Sequence, residues 1–226
     1  VASYSRAPIS PAPRLISEFG APDRDKPDDE PSRIYPTLYH HAIWSAVFSG
    51  QAGTPMDWDD GKQFGELRWR KRKGIFDREH YPIDHVAQLR ALRRFLEGLR
   101  PGDLVSCAAR NARVRCVANA PRRLHALHSA KQPDAVYGWL YSTGKAARFR
   151  IEGLQPGTYR LTWHDPWTGE PAGEAQTVTV RHGAAITLSA GPALAQLRAA
   201  AKPFPAESRL AKGNDVAFKL TQSPPR

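Results

Sequence analysis

After "RPGD" (100–103) the chain breaks into short runs in which apolar and polar residues alternate: "LVSCA", "RVRCVA", "RLHALHS", "AVYGWLYS", "ARFRIEGL", "TYRLTWHD", "AQTVTV", "AITLS" and "DVAFKL". A period of two sends successive side chains to opposite faces, so such a run is a strand with one face to bury. "STGK", "LQPGT", "DPWTGEP" and "RHGA" lie between the runs as turn signals. Strands of this length and spacing predict an antiparallel β-sandwich over residues 101–226. The stretch 191–214 interrupts the last pair and reads as a long connection with one helical turn. There is no internal repeat.

The first hundred residues follow another pattern. "RLIS" (14–17) is a short apolar run leading into Glu18. Residues 33–50 read as a helix: Ile34, Leu38, Ala42 and Ala46, beside Tyr39, Ile43 and Val47, recur at helical spacing. Pro36 falls in its first turn and Gly50 is a natural stop. "AGTPMDWDD" (52–60) is a short strand ending in an aromatic and acidic cluster. A second helix is predicted over 83–99, with Asp84 as its N-cap and Val86, Leu89, Leu92, Leu96 and Leu99 as its buried stripe. This order makes residues 1–100 an α/β unit, with the boundary near Pro101. Two short strands and two helices leave sheet edges unpaired and apolar helix faces uncovered. The front piece is therefore expected to belong to a larger sheet.

Among 226 residues, 41% are hydrophobic and 24% charged, which is a globular composition. The net charge of +11 favours an anionic partner, such as nucleic acid, anionic lipid or an acidic polysaccharide; an arginine-rich solvated surface is the plainer alternative. No run approaches the ~20 apolar residues of a membrane helix. "VASYSRAPISPAP" lacks the basic head and apolar middle of a signal peptide, so an export signal, if used, is expected to be gone or to lie upstream. Cys107 and Cys116 face two readings, a disulfide across a hairpin or two buried free thiols. Zinc is not expected, since there is no CxxC and the histidines lack ligand spacing.

"LISEFG" (15–20), followed by "YHHAIWSAVFSGQAGTPMDWDD" (39–60), resembles the last third of retaining (β/α)8-barrel glycoside hydrolases of the cellulase- and mannanase-like clan. In that family the seventh barrel strand commonly ends in a Glu-Phe-Gly type motif whose glutamate is the nucleophile, and the next strand ends in a tryptophan at the sugar-binding face. The resemblance gives these roles to Glu18 and Trp58, and makes 83–99 the final barrel helix. "GLQPGTYRLTWHDPWTGEP" (153–171) and "NDVAFKL" (214–220) look like the small sandwich domain that often follows such barrels. The implied fold is α/β plus all-β: the C-terminal part of a (β/α)8 barrel, incomplete in this chain, then an antiparallel β-sandwich. The family's acid/base glutamate lies on the fourth strand, and nothing here matches that strand. "VASYS" is placed at the end of the sixth, whose pattern often includes a His and a Tyr; only Tyr4 is present. The implied partners are a glycan and an N-terminal barrel half, as a separate chain or an upstream segment. Without that half the chain is expected to be inactive. The implied location is secreted or periplasmic, with no cofactor and no metal.

Retaining hydrolysis uses two carboxyl groups ~5–5.5 Å apart, one attacking the anomeric carbon and one serving as acid and then base. Glu18 at a strand end fits the first role; its plain reading is a solvated glutamate before the acidic loop 23–30. Trp58 offers an aromatic face to the apolar face of a pyranose, or else packs in the core. Asp57, Asp59 and Asp60 either bond sugar hydroxyls or simply end the strand. Tyr4 is a candidate for the nucleophile's hydrogen-bond partner. His40 and His41 lie on the helix and are expected to be structural. Trp163 belongs to a core face, whereas Trp167 in its turn is expected to be exposed; together with Trp139 they raise the option of a sugar-binding surface. Arg68, Arg70, Lys71, Arg72 and Lys73, with Trp69 among them, form a candidate subsite for an anionic glycan, Arg70 foremost. As a nucleic-acid site the run is weak, because no recognised binding motif accompanies it. The rival to an enzyme is a non-catalytic carbohydrate-binding or structural module derived from one.

Overall fold

The computed structural model describes residues 18–19, 35–49, 56–57, 85–99, 101–118, 123–131, 133–141, 147–200 and 214–224. The chain divides into two compact units, Val1–His85 and Val86–Arg226.

In the first unit, strand β1 (Glu18–Phe19) and strand β2 (Met56–Asp57) pair in parallel, Glu18 opposite Met56 and Phe19 opposite Asp57. Parallel neighbours need a crossover, and helix α1 (Tyr35–Phe48) lies in the connection between them. Its described turns are covered nearly all round: His40, Ala42, Ile43, Trp44, Ser45, Ala46 and Phe48 are buried. Trp44 stacks on Phe48, with ring centroids 6.1 Å apart. A helix buried on every side is an interior element rather than a surface one.

Helix α2 (His85–Leu96) lies in the second unit from Val86 on, and a 3-10 turn at Pro101–Asp103 follows it. Strands follow: β3 (Leu104–Ser106), β4 (Arg115–Ala118), β5 (Arg123–Ser129), β6 (Ala135–Tyr141), β7 (Arg148–Glu152), β8 (Gly157–His164), β9 (Gln176–Val180) and β10 (Ile186–Ser189). Helix α3 (Gly191–Ala200) and strand β11 (Asp215–Gln222) complete it. Every alternating run of the sequence is a strand. The described strands of this unit form two antiparallel sheets, ordered β10-β7-β4 and β3-β5-β6-β11-β8-β9. One hydrophobic core takes side chains from both sheets, Phe149, Ile151, Ile186 and Leu188 from the smaller and Leu140, Leu161, Trp163, Phe218 and Leu220 from the larger. Phe149, Trp163 and Phe218 form its aromatic centre, with centroids 5.0 to 6.2 Å apart. Edge and offset contacts of this kind add about 0.5–1.5 kcal/mol each beyond burial.

Strand β7 alternates buried and exposed, as a two-layer sheet requires. Strands β6 and β11 are buried on both faces along most of their length. Their second face carries Trp139 and Ala217, which are buried outside the main core. At its end α2 packs there, with Phe95 edge-on to the His164 ring at 5.2 Å. The helix buries Gln88, Ala91, Leu92 and Phe95, at i, i+3, i+4 and i+7. This corrects the expected stripe: Leu89 is 40% exposed, and Leu96 and Leu99 are only partly covered. Phe95 carries the largest apolar area of the helix, and burying it turns the helix by about one residue. Gly98 stops α2 in the left-handed region at φ 79°.

One further expectation is corrected. Residues 191–200 form a ten-residue helix rather than one turn, because Ala193, Leu194 and Leu197 have a core to enter. Tyr159 holds the start of β8 by donating its hydroxyl to Gln155 O at 2.8 Å, a corner device of Greek-key sandwiches. Its phenol is pushed up to about 12, first by burial and then by the nearby Asp134 charge.

Candidate functional site

The candidate catalytic carboxylate, Glu18, lies on β1, and the candidate sugar-binding Asp57 lies on β2, one register step further along the parallel pair. The pairing brings these two positions onto adjacent strands although 38 residues of sequence lie between them. Trp58 directly follows β2 in sequence. Tyr4, Trp58, Asp59, Asp60 and the basic run with Arg70 lie outside the described residues. His40 is fully buried in α1, in ring contact with His41 and Trp44.

Three polar clusters of the second unit were not read from the sequence as groups. The first is built around Asp215 at the start of β11. Its buried carboxyl accepts from Trp139 Nε1 at 2.8 Å and from Trp167 Nε1 at 3.2 Å. Trp167 is therefore interior, 8% exposed, which corrects the exposed turn tryptophan expected from "DPWTGEP". An indole N–H so placed is held by its partner and leaves no open ring face for a sugar, and Trp139 is buried in the same way.

The second cluster lies under α2. His164 Nδ1 is 3.2 Å from Gly169 O, and a carbonyl can only accept, so Nδ1 carries the proton. Nε2 is then a buried acceptor with no hydrogen-bond partner. Burial pushes this imidazole's pKa down, the Gly169 carbonyl opposes that, and the Lys219 charge lowers it further. Lys219 itself lies over the Phe95 ring at 5.1 Å, donates to Glu97 O at 3.3 Å, and is lowered by burial. These contacts dock the helix.

The third cluster is Cys107, Cys116 and His128. The thiols are unbonded, with Sγ atoms 3.5 Å apart, and Cys107 Sγ lies 3.9 Å from His128 Nδ1. They do not face each other across a hairpin, as one reading of the sequence had it. Cys107 follows β3 at the edge of the larger sheet, bonded through its N–H to Ala126 O, while Cys116 lies on β4 of the smaller sheet. The hydrogen bond from Cys116 holds the Cys107 thiol down to about 6, His128 assists, and burial opposes. Cys116 is pushed up, first by that same bond and then by burial. Among the described residues no group of three or more His, Cys, Asp and Glu forms a metal cluster. No helix among them is long and apolar enough to cross a membrane.

The sequence matches no protein-family model and no curated protein. Among solved structures, a protein titled "Glycoside hydrolase" is similar to this chain over 81% of its residues, at 12% identity and a TM-score of 0.47. The chain covers 36% of that protein's length, and at this distance the likeness adds nothing to what the residues themselves carry.

Proposed function

We propose that this chain is the C-terminal part of a retaining O-glycoside hydrolase, secreted or periplasmic, acting on a polysaccharide or oligosaccharide. Glu18 is its nucleophile. The acid/base carboxyl comes from barrel strands outside this sequence, so the chain is active only with an N-terminal barrel half. Trp58 stacks on the sugar, Tyr4, Asp57 and Asp59 bond its hydroxyls or the nucleophile, and Arg70 with its neighbours receives an anionic substituent. One observation supports this reading most: "LISEFG" brings its glutamate to the strand β1, which pairs in parallel, across the buried helix α1, with the strand that leads into Trp58. A parallel strand–helix–strand unit is the repeating unit of a (β/α)8 barrel, whose catalytic residues come from strand ends.

The chemistry asked of Glu18 is attack on the anomeric carbon as the leaving oxygen takes a proton, followed by hydrolysis of the glycosyl ester by water. The test is Glu18→Gln in the complete enzyme, assayed on neutral and uronate-bearing polysaccharides. The amide keeps the shape and removes the nucleophile. Turnover is expected to fall on the order of a thousand-fold or more, with glycan retention unchanged. Unaltered turnover would remove Glu18 from the mechanism. Retention without turnover in the wild-type enzyme would leave the non-catalytic binding module.

A further inference from the structure

The thiol pair lies between the two sheets of the sandwich. Cys107 closes β3 at the edge of the six-stranded sheet, and Cys116 sits on β4, an edge strand of the three-stranded sheet. Cys107 belongs to the shared core, and Cys116 packs against it. Their sulfurs stand 3.5 Å apart. A bonded pair needs ~2.05 Å, a closure within reach of side-chain rotation and a small backbone shift. The two thiols are unbonded in this arrangement. The third partner is His128, on the core-facing side of β5 opposite Val136, with Nδ1 3.9 Å from Cys107 Sγ.

The arrangement is unequal, and the inequality matters. Cys116 Sγ is placed to donate to Cys107 Sγ, and that bond favours the thiolate on Cys107 over Cys116. We propose that Cys107 and Cys116 are an oxidation site for a hydroperoxide, Cys107 attacking and Cys116 resolving, and that the product is a disulfide tying the two sheets together.

The steps balance. The Cys107 thiolate attacks one peroxide oxygen, the O–O bond breaks, and water leaves with a proton delivered through His128 or solvent. Cys107 is then a sulfenic acid. Cys116 attacks that sulfur, the S–O bond breaks, and the Cys116 proton leaves with the hydroxyl as a second water. Two thiols and one peroxide give one disulfide and two waters. A peroxide is small enough to reach a sulfur that is largely covered, which a bulky disulfide reagent is not. The new bond closes the segment 107–116 and locks β4 against the end of β3. This inference concerns the sandwich alone and does not depend on the glycosidase reading.

The experiment treats the full chain with hydrogen peroxide, quenches, and counts thiols by alkylation under denaturing conditions with intact-mass detection. The wild type is expected to lose both thiols and two hydrogens, remain monomeric, and recover with dithiothreitol. Its thermal midpoint should rise by roughly 5–10 °C on oxidation. In Cys116→Ala, Cys107 should stop at a sulfenic acid that dimedone traps. In Cys107→Ala, Cys116 should stay a thiol under the same dose. The oxidation rate of the wild type should rise with pH about a midpoint near 6, and that midpoint should move up in Cys116→Ala, which lacks the hydrogen-bond donor. The wild-type measurement stands by itself if a variant folds poorly. A wild type that keeps both thiols, links between chains, or carries sulfinic acid on Cys107 beside an intact Cys116 thiol overturns the proposal. So does a rate midpoint unmoved in Cys116→Ala.

Discussion

Asp215 receives two indole N–H groups, from Trp139 and Trp167, in a place that water does not reach. Removing the carboxyl strands two buried donors, each worth about 1–3 kcal/mol when left unpaired. Asp215→Ala should therefore lower unfolding stability by roughly 3–5 kcal/mol, read from a urea midpoint. Asp215→Asn should cost less, since its amide oxygen still accepts one indole. His164 makes a pH prediction whose sign follows from its burial. Its folded pKa lies below the ordinary 6.5, so the folded ring stays neutral while the unfolded ring takes a proton. Stability from this group is whole above pH 6.5 and declines as pH falls from there to the folded pKa, by up to about 1.4 kcal/mol per pH unit. His164→Gln should flatten that part of the stability–pH curve. Neither residue announced its role in the sequence. Asp215 opens a strand that looks ordinary, and its partners lie 48 and 76 positions away. Trp167 read as exposed because turn residues usually are, and the burial that overrides this belongs to the fold.

Helix α2 is held by more than its apolar face. Arg94 reaches Thr168 O at 3.1 Å and Glu170 Oε1 at 2.7 Å, both in the turn after β8. The turn can come that close because Gly169 has φ 75° and no side chain; a Cβ there would drive into Ala91 O. Gly169→Ala should thus cost roughly 2–4 kcal/mol by strain and displacement of the helix. Arg94→Ala should cost under about 1 kcal/mol, because both partners are more than half exposed. Comparing the two by thermal unfolding separates backbone approach from ion pairing. At this scale the strands were the most legible elements, since alternation is local and each run carries its own turn signal. Helix α3 was read too short because "GPALAQLRAA", set before "AKPFP", looks like a loop. Its Leu194 and Leu197 make sense only once a core lies beneath them.

For the molecule as a whole, the second unit begins at Val86, so α2 counts with the sandwich by its contacts. A chain of residues 86–226 should fold cooperatively and stay soluble. A chain of residues 101–226 should unfold at lower temperature and aggregate, because it uncovers Ala217, His164 and neighbouring ground under Phe95. Calorimetry and light scattering on the two chains check this. Period-two runs, turn signals and helical spacing are properties of neighbouring residues, and from them the sequence alone determined which stretches are strands and helices, α3 excepted. It also placed Glu18 and Asp57 at strands, as candidate site positions. The order of strands was not legible, because β11, last in the chain, enters the middle of the larger sheet between β6 and β8. Non-local pairing is selected by which faces fit together, and no local pattern encodes it. For the same reason only the tertiary structure brought Cys107, Cys116 and His128 together, gave Asp215 its two indoles, and turned Phe95 rather than Leu89 toward the sheet.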